Sequence, residues 1–160
     1  MRMSRVTLPA LALAVFASTA HAQGNRPPSL ADALRAGFTE STNRLVQAAE
    51  AIPESQYDFK PAATVRSVRQ LIAHIADGNN WYCAQAAGRN VQWSDSLEQA
   101  NLPKAQVISR LRASIQACQA VPASAPRQDQ LLANVAHVEH HYGNLVTTMR
   151  VAGLTPPSNN

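Results

Sequence analysis

The sequence has no apolar run long enough to cross a bilayer. The stretch from Val6 to Ala17 falls short of the roughly 20 residues required, and nothing later approaches it. It has no basic run either. Arg35, Arg44, Arg66, Arg69, Arg110 and Arg112 stand singly, and the formal net charge of +4 includes Arg2 and Arg5 near the start. Scattered charge of this kind describes a solvated surface, so no nucleic-acid partner is expected. No stretch alternates apolar and polar residues long enough to read as a strand, which excludes a sheet-based fold. Cysteine is nearly absent, with only Cys83 and Cys118.

What is there begins with a compartment signal. Arg2 and Arg5 precede the apolar run, and Ala20-His21-Ala22 has the small-x-small form of a cleavage site. A secretory signal peptide is expected over residues 1–22, leaving an exported chain with no stable membrane insertion after cleavage. The residue immediately after the cleavage site is Gln23 and not a cysteine, which argues against a lipid anchor. The expected address is the periplasm, with secretion beyond it as the alternative. The remainder has the size of one ordinary domain. Residues 23–28 read as a flexible leader, 29–154 as a helical bundle and 155–160 as a tail.

Four helices follow from periodicity and punctuation. Ser29 with Asp32 has the form of a capped start, and Leu30, Leu34, Phe38, Leu45 and Ile52 recur at helical spacing until Pro53. Ser67 with Gln70 is a capping box that opens a second run through Val68, Leu71, Ile72, Ile75 and Ala76 to about Ala87, before Gly88. The intervening Tyr57 to Pro61 connector is expected to pack its two aromatics over one end of the bundle. Arg89 to Pro103 lacks sustained periodicity and reads as a crossover with Trp93 tucked inward. A third helix spans about Lys104 to Ala120, and a fourth runs from near Arg127 until Gly153 and Pro156 end it. The fold class is all-α, a four-helix bundle with two long connectors.

The chemistry concentrates on the fourth helix. His137 and His141 lie four residues apart and so share one face, a spacing that lets two imidazoles converge on one point. A catalytic divalent metal usually takes three protein ligands and keeps a position open, and His74 on the second helix is the one further candidate. His140 points off the ligand line and reads as a flanking residue. The stripe through His137 and His141 also holds Gln130, Asn134, Asn144 and Thr148, a polar face that is costly to bury unless bonded. Gly78, one turn from His74, costs about 1 kcal/mol relative to alanine in a helix, which suggests that the space itself is wanted; Gly143 raises the same question. Asp77 and Glu139 are placed to orient ligands or relay a proton, although for Glu139 a solvated carboxylate is the preferred reading. Gly78, Trp81, Asn134 and Asn144 are the expected lining of a substrate pocket, with Asp77, Asn134 and Asn144 supporting the ligands.

Leu71-Ile72-Ala73-His74-Ile75-Ala76-Asp77, the segment Ala136-His137 to His141-Tyr142-Gly143-Asn144-Leu145-Val146, and Gly153-Leu154-Thr155-Pro156-Pro157 together resemble the DinB/YfiT-like superfamily. The resemblance extends over most of the chain after residue 22. It implies an up-down-down-up four-helix bundle and a divalent metal on three histidines, which map onto His74, His137 and His141. Relatives include thiol-dependent transferases and isomerases, and metal-dependent hydrolases. Export disfavours the thiol-dependent branch, whose thiols are mainly cytoplasmic. Zinc is the expected metal, while nickel, manganese and iron also accept imidazole.

Cys83 lies about 180° around its helix from His74, so it is not expected as a fourth ligand. In an oxidising compartment a Cys83–Cys118 disulfide is expected, with two buried thiols as the alternative. The expected function is hydrolysis or group transfer on a small molecule. The competing reading is a non-catalytic bundle in which the metal only staples two helices. A homodimer is expected only if an apolar face is left uncovered, and the sequence points to none.

Overall fold

The structure, a computed structural model, describes residues 27–157. The expected signal peptide, most of the leader and the end of the tail lie outside the described residues. The described part is all-helical, with four long helices and one short one. They are α1 (Leu30–Ala51), α2 (Val68–Ala86), the one-turn α3 (Ser96–Gln99), α4 (Lys104–Gln119) and α5 (Gln128–Val151).

Local chemistry explains the ends of these helices. Both sequence-predicted capping boxes form. The Asp32 amide donates to Ser29 Oγ and the Ser29 amide to the Asp32 carboxylate, each at 3.2 Å. At α2 the Gln70 amide donates to Ser67 Oγ at 3.2 Å and the Ser67 amide to Gln70 Oε1 at 3.0 Å. Each pair satisfies two amides that a helix start leaves unpaired. Gly88 closes α2 at a φ of 78°, where the Arg89 amide reaches back to the Ala84 carbonyl at 3.0 Å. That reversal needs a left-handed residue, which glycine supplies without a Cβ clash.

Packing then fixes α2 at the centre. It is the most buried helix and lies against α4, α5 and α3. Ile72 and Ile75 of α2 are fully buried with Leu45 of α1, Leu111 of α4 and Leu145 of α5. Each such side chain contributes roughly 1.5–3 kcal/mol by leaving water. One end is closed by the Tyr57 to Pro61 connector, as expected. Tyr57 is fully buried, its hydroxyl donates to the Ala49 carbonyl at 2.7 Å, and the Arg69 and Lys104 cations lie over its ring. Phe59 stays partly exposed.

Cys83 and Cys118 form a disulfide with their Cα atoms 5.1 Å apart, joining α2 to α4. The Arg89 to Pro103 crossover differs from expectation. It contains α3, and Trp93 is 39% exposed rather than tucked into the interior. Its indole N–H needs a partner, and it finds Asp95 Oδ1 at 2.8 Å on the outside of the loop.

Candidate metal centre

α2 and α5 bring the three histidines together. His74 Nε2 and His137 Nε2 are 3.3 Å apart, and the His141 ring lies 4.8 Å from that of His74 and 4.6 Å from that of His137, centroid to centroid. One nitrogen from each ring falls within 4.8 Å of the others. Two nitrogens bound tetrahedrally to zinc at about 2.0–2.1 Å stand roughly 3.3 Å apart, so the observed spacing suits a shared cation. Nδ1 of His137 and Nδ1 of His141 are buried without a hydrogen-bond partner. His74 has a partner on each nitrogen, but two of the three packed rings keep a buried nitrogen that the protein leaves unpaired, and a set of three converging imidazoles fits a divalent cation of the imidazole-accepting kind.

Electrostatics favours the form that binds. Burial, then the neighbouring His74, His140 and Arg66 charges, holds the His137 imidazole down to about 4. Burial, followed by His137 and His74, takes His141 down to about 3. Both rings are therefore neutral near pH 7, as a metal ligand must be.

Gly78 explains itself here. A Cβ built on it would lie 2.3 Å from His137 Cε1 and 2.8 Å from Nδ1. The space is wanted, as the sequence suggested, but by a histidine ring rather than by a pocket. Gly143 meets nothing within 4 Å of such a Cβ, so no close packing requires it.

The residue that sequence reasoning missed is Glu98. Its carboxylate lies 2.9 Å from His74 Nδ1, with Asp95 farther off at 3.9 Å, and Arg66 Nε donates to its other oxygen at 2.8 Å. A carboxylate on the far nitrogen fixes the ring's orientation and leaves Nε2 as the free, more basic donor. Asp77 reaches His74 only through this residue. Its buried carboxylate accepts the Leu97 amide at 3.1 Å and the Glu98 amide at 3.0 Å, capping α3 from a neighbouring helix. Burial raises the Asp77 pKa, and the two amides oppose that shift. The spacing of Asp95 and Glu98 is that of a helix start, which was the available signal.

The other expected supports lie elsewhere. Asn134 is buried against the disulfide, its amide nitrogen 3.4 Å from Cys83 Sγ and 3.5 Å from Cys118 Sγ. Glu139 turns to α1, where Arg44 donates to it at 2.6 Å and Ser41 also donates. His140 is exposed, as expected. Trp81 donates to the Val91 carbonyl at 3.1 Å and stacks edge-on against Trp93, whose ring also lies 5.5 Å from His74. Of the four residues expected to line a substrate pocket, Asn144 alone borders the cavity that His141 reaches, while Asn134 lines a separate cavity beside the disulfide. Asn144 borders an open cavity of about 690 Å³ together with His141, Lys60, Arg66, Gln70 and Glu98.

The family model of the DinB superfamily matches residues 37–145, a span that holds all three histidines and Glu98. The chain belongs to the DinB superfamily. No curated protein matches it. In this DinB protein, the cluster of His74, His137 and His141 can hold a metal, and among the described residues no fourth side chain joins that group.

Proposed function

We propose that this DinB protein is an exported metal-dependent enzyme that binds a divalent cation, zinc in the first instance, on His74, His137 and His141. It acts on a small molecule by hydrolysis or group transfer. In this reading the long helices follow the up-down-down-up order of the family's bundle, and residues 1–22 are a signal peptide. The observation that carries the proposal is the 3.3 Å approach of two Nε2 atoms beside His141, which borders an open cavity. A structural staple would be closed by a fourth protein ligand, whereas three ligands beside a cavity leave room for substrate.

A bound cation of this kind lowers the pKa of water or polarises a carbonyl. The chain's own residues supply the rest. Glu98 holds the His74 ring with Nε2 turned inward, and Asp77 holds Glu98 by capping α3. Lys60 and Arg66 give the cavity wall a positive side that favours polar or anionic groups, and Trp93 covers the outer face of His74. The disulfide supports export, because such bonds persist in oxidising compartments.

Elemental analysis of untagged protein, beside the variant carrying His74→Ala, His137→Ala and His141→Ala, tests the site. One equivalent of metal in the native chain and none in the variant is expected. No metal in either, after reconstitution with zinc, nickel and manganese, would end the enzyme reading.

A further inference from the structure

The cavity beside His141 has a wall whose charges are unequally spent. Its volume of about 690 Å³ falls within the roughly 300–1,000 Å³ of small-molecule sites. Lys60, Arg66 and Glu98 line it besides the histidine. Glu98 is committed on both oxygens, one to Arg66 Nε at 2.8 Å and one to His74 Nδ1 at 2.9 Å. Arg66 is committed only through Nε, and its Nη1 and Nη2 have no partner among the described residues. A guanidinium held in that way keeps the two parallel N–H groups of its far end for a planar anion. Lys60 is exposed on the connector and forms no ion pair among the described residues. Two cations against one carboxylate leave the wall one positive charge in excess.

The cavity also has length and an apolar side. On α5, Asn144 and Thr148 follow His141 by three and seven residues, so the wall runs from the histidines for about two turns, roughly 10 Å. Pro61, Val65 and Leu71 add apolar surface. We infer that the substrate class of this site is a small monocarboxylic acid, its carboxylate held by the Nη fork of Arg66 and by Lys60, and its reacting group turned toward His141. The direction of the reacting group rests on the metal-dependent reading above; the carboxylate pocket belongs to the chain's own cations. A neutral amide forfeits the charge-assisted hydrogen bonds, and a cation is repelled by both side chains. A doubly charged anion exceeds the single positive charge of the wall and meets Glu98 beside the fork.

The test starts with metal-free protein, so that no carboxylate binds through a metal. Hippurate, its neutral counterpart hippuramide, acetate and phenyl phosphate are titrated while amide chemical shifts are followed. Hippurate is expected to saturate shifts around Lys60, Arg66 and Asn144 and to bind about tenfold tighter than hippuramide, the worth of charge-assisted hydrogen bonds. Acetate, which lacks a body for the apolar side, should bind more weakly than hippurate, and so should phenyl phosphate. Arg66→Lys keeps the charge and loses the fork, and should weaken hippurate about tenfold. Lys60→Gln, on the exposed connector, should weaken it about threefold, as suits a solvated ion pair. Neither variant should alter hippuramide, and melting curves report whether both fold. Zinc restored to the native chain should tighten hippurate and extend the shifts to His141. Equal affinity for hippurate and hippuramide, or for hippurate and acetate, would overturn the inference. So would tighter binding of phenyl phosphate, shifts away from the cavity, or hippurate binding that zinc leaves unchanged. Metal content is measured separately by elemental analysis, so failure of the metal reading and failure of the carboxylate pocket are told apart.

Discussion

The seam between α2 and α5 is polar at two levels, and the two are held by different means. At one level His74 faces His137 and His141. Further along, Cys83 of α2 and Asn134 of α5 meet beside Cys118 of α4. The disulfide level is locked covalently, and its amide has settled on the sulfurs. The histidine level has no covalent link. Its rings are oriented by a carboxylate on a one-turn helix, which is itself capped by Asp77. Polar groups in a helix seam can thus be stabilised by a bond already made, or be kept oriented for an ion.

The sharpest way to break this contrast is at Gly78. Gly78→Ala places a methyl 2.3 Å from His137 Cε1, so the ring must leave its position. Loss of stoichiometric metal is the expected result, close to that of removing His137 itself, and elemental analysis checks it. Retention of one equivalent would show that the ring has room to give.

The disulfide level should fail differently. Replacing both cysteines by serine frees a closure between residues 35 apart in sequence. The chain-entropy account gives a loss of about 4 kcal/mol of stability, read by denaturant unfolding, while metal content at saturation stays at one equivalent. Glu98→Gln probes the histidine level more gently. It retains the shape and removes the charge facing His74 Nδ1, and competition with a chelator should show metal affinity weaker by about 10–100-fold. Asp77→Asn should have a smaller effect in the same direction, because Asp77 acts through the backbone of α3.

Acid offers the most graded test. His137 and His141 have folded pKa values near 4 and 3, below the ordinary value of 6.5. The unfolded chain therefore takes up protons first. In metal-free protein their contribution to stability is complete above about pH 6.5 and is lost progressively as pH falls toward 4 and 3. The two-histidine variant His137→Ala, His141→Ala should flatten that part of the profile; an unchanged slope would refute the assignment.

How far the molecule could be read beforehand depended on where a residue's partners lie. Ser29 with Asp32 and Ser67 with Gln70 were legible, because capping partners are three residues apart. His137 and His141 were legible for the same reason, being one helical turn apart. Gly78 was visible as an anomaly, but its cause, the His137 ring, sits on another helix. Glu98 was missed because its segment lacks periodicity and its partner is His74, 24 positions away. Asn134 shares a face with the histidines, yet its amide turns to sulfur on two other helices.

The sequence by itself determined the four long helices, their capped starts, the glycine that ends α2, the one pairing open to two cysteines and the ligand pair on α5. These follow from backbone hydrogen bonding and from a period of 3.6, both local. The tertiary structure alone decided that His74 meets that pair, that Glu98 orients it, that Trp93 lies outside and that a second cavity forms beside the disulfide. Those outcomes depend on how helices far apart in the chain pack against α2, and on which polar groups remain to be satisfied once they have done so.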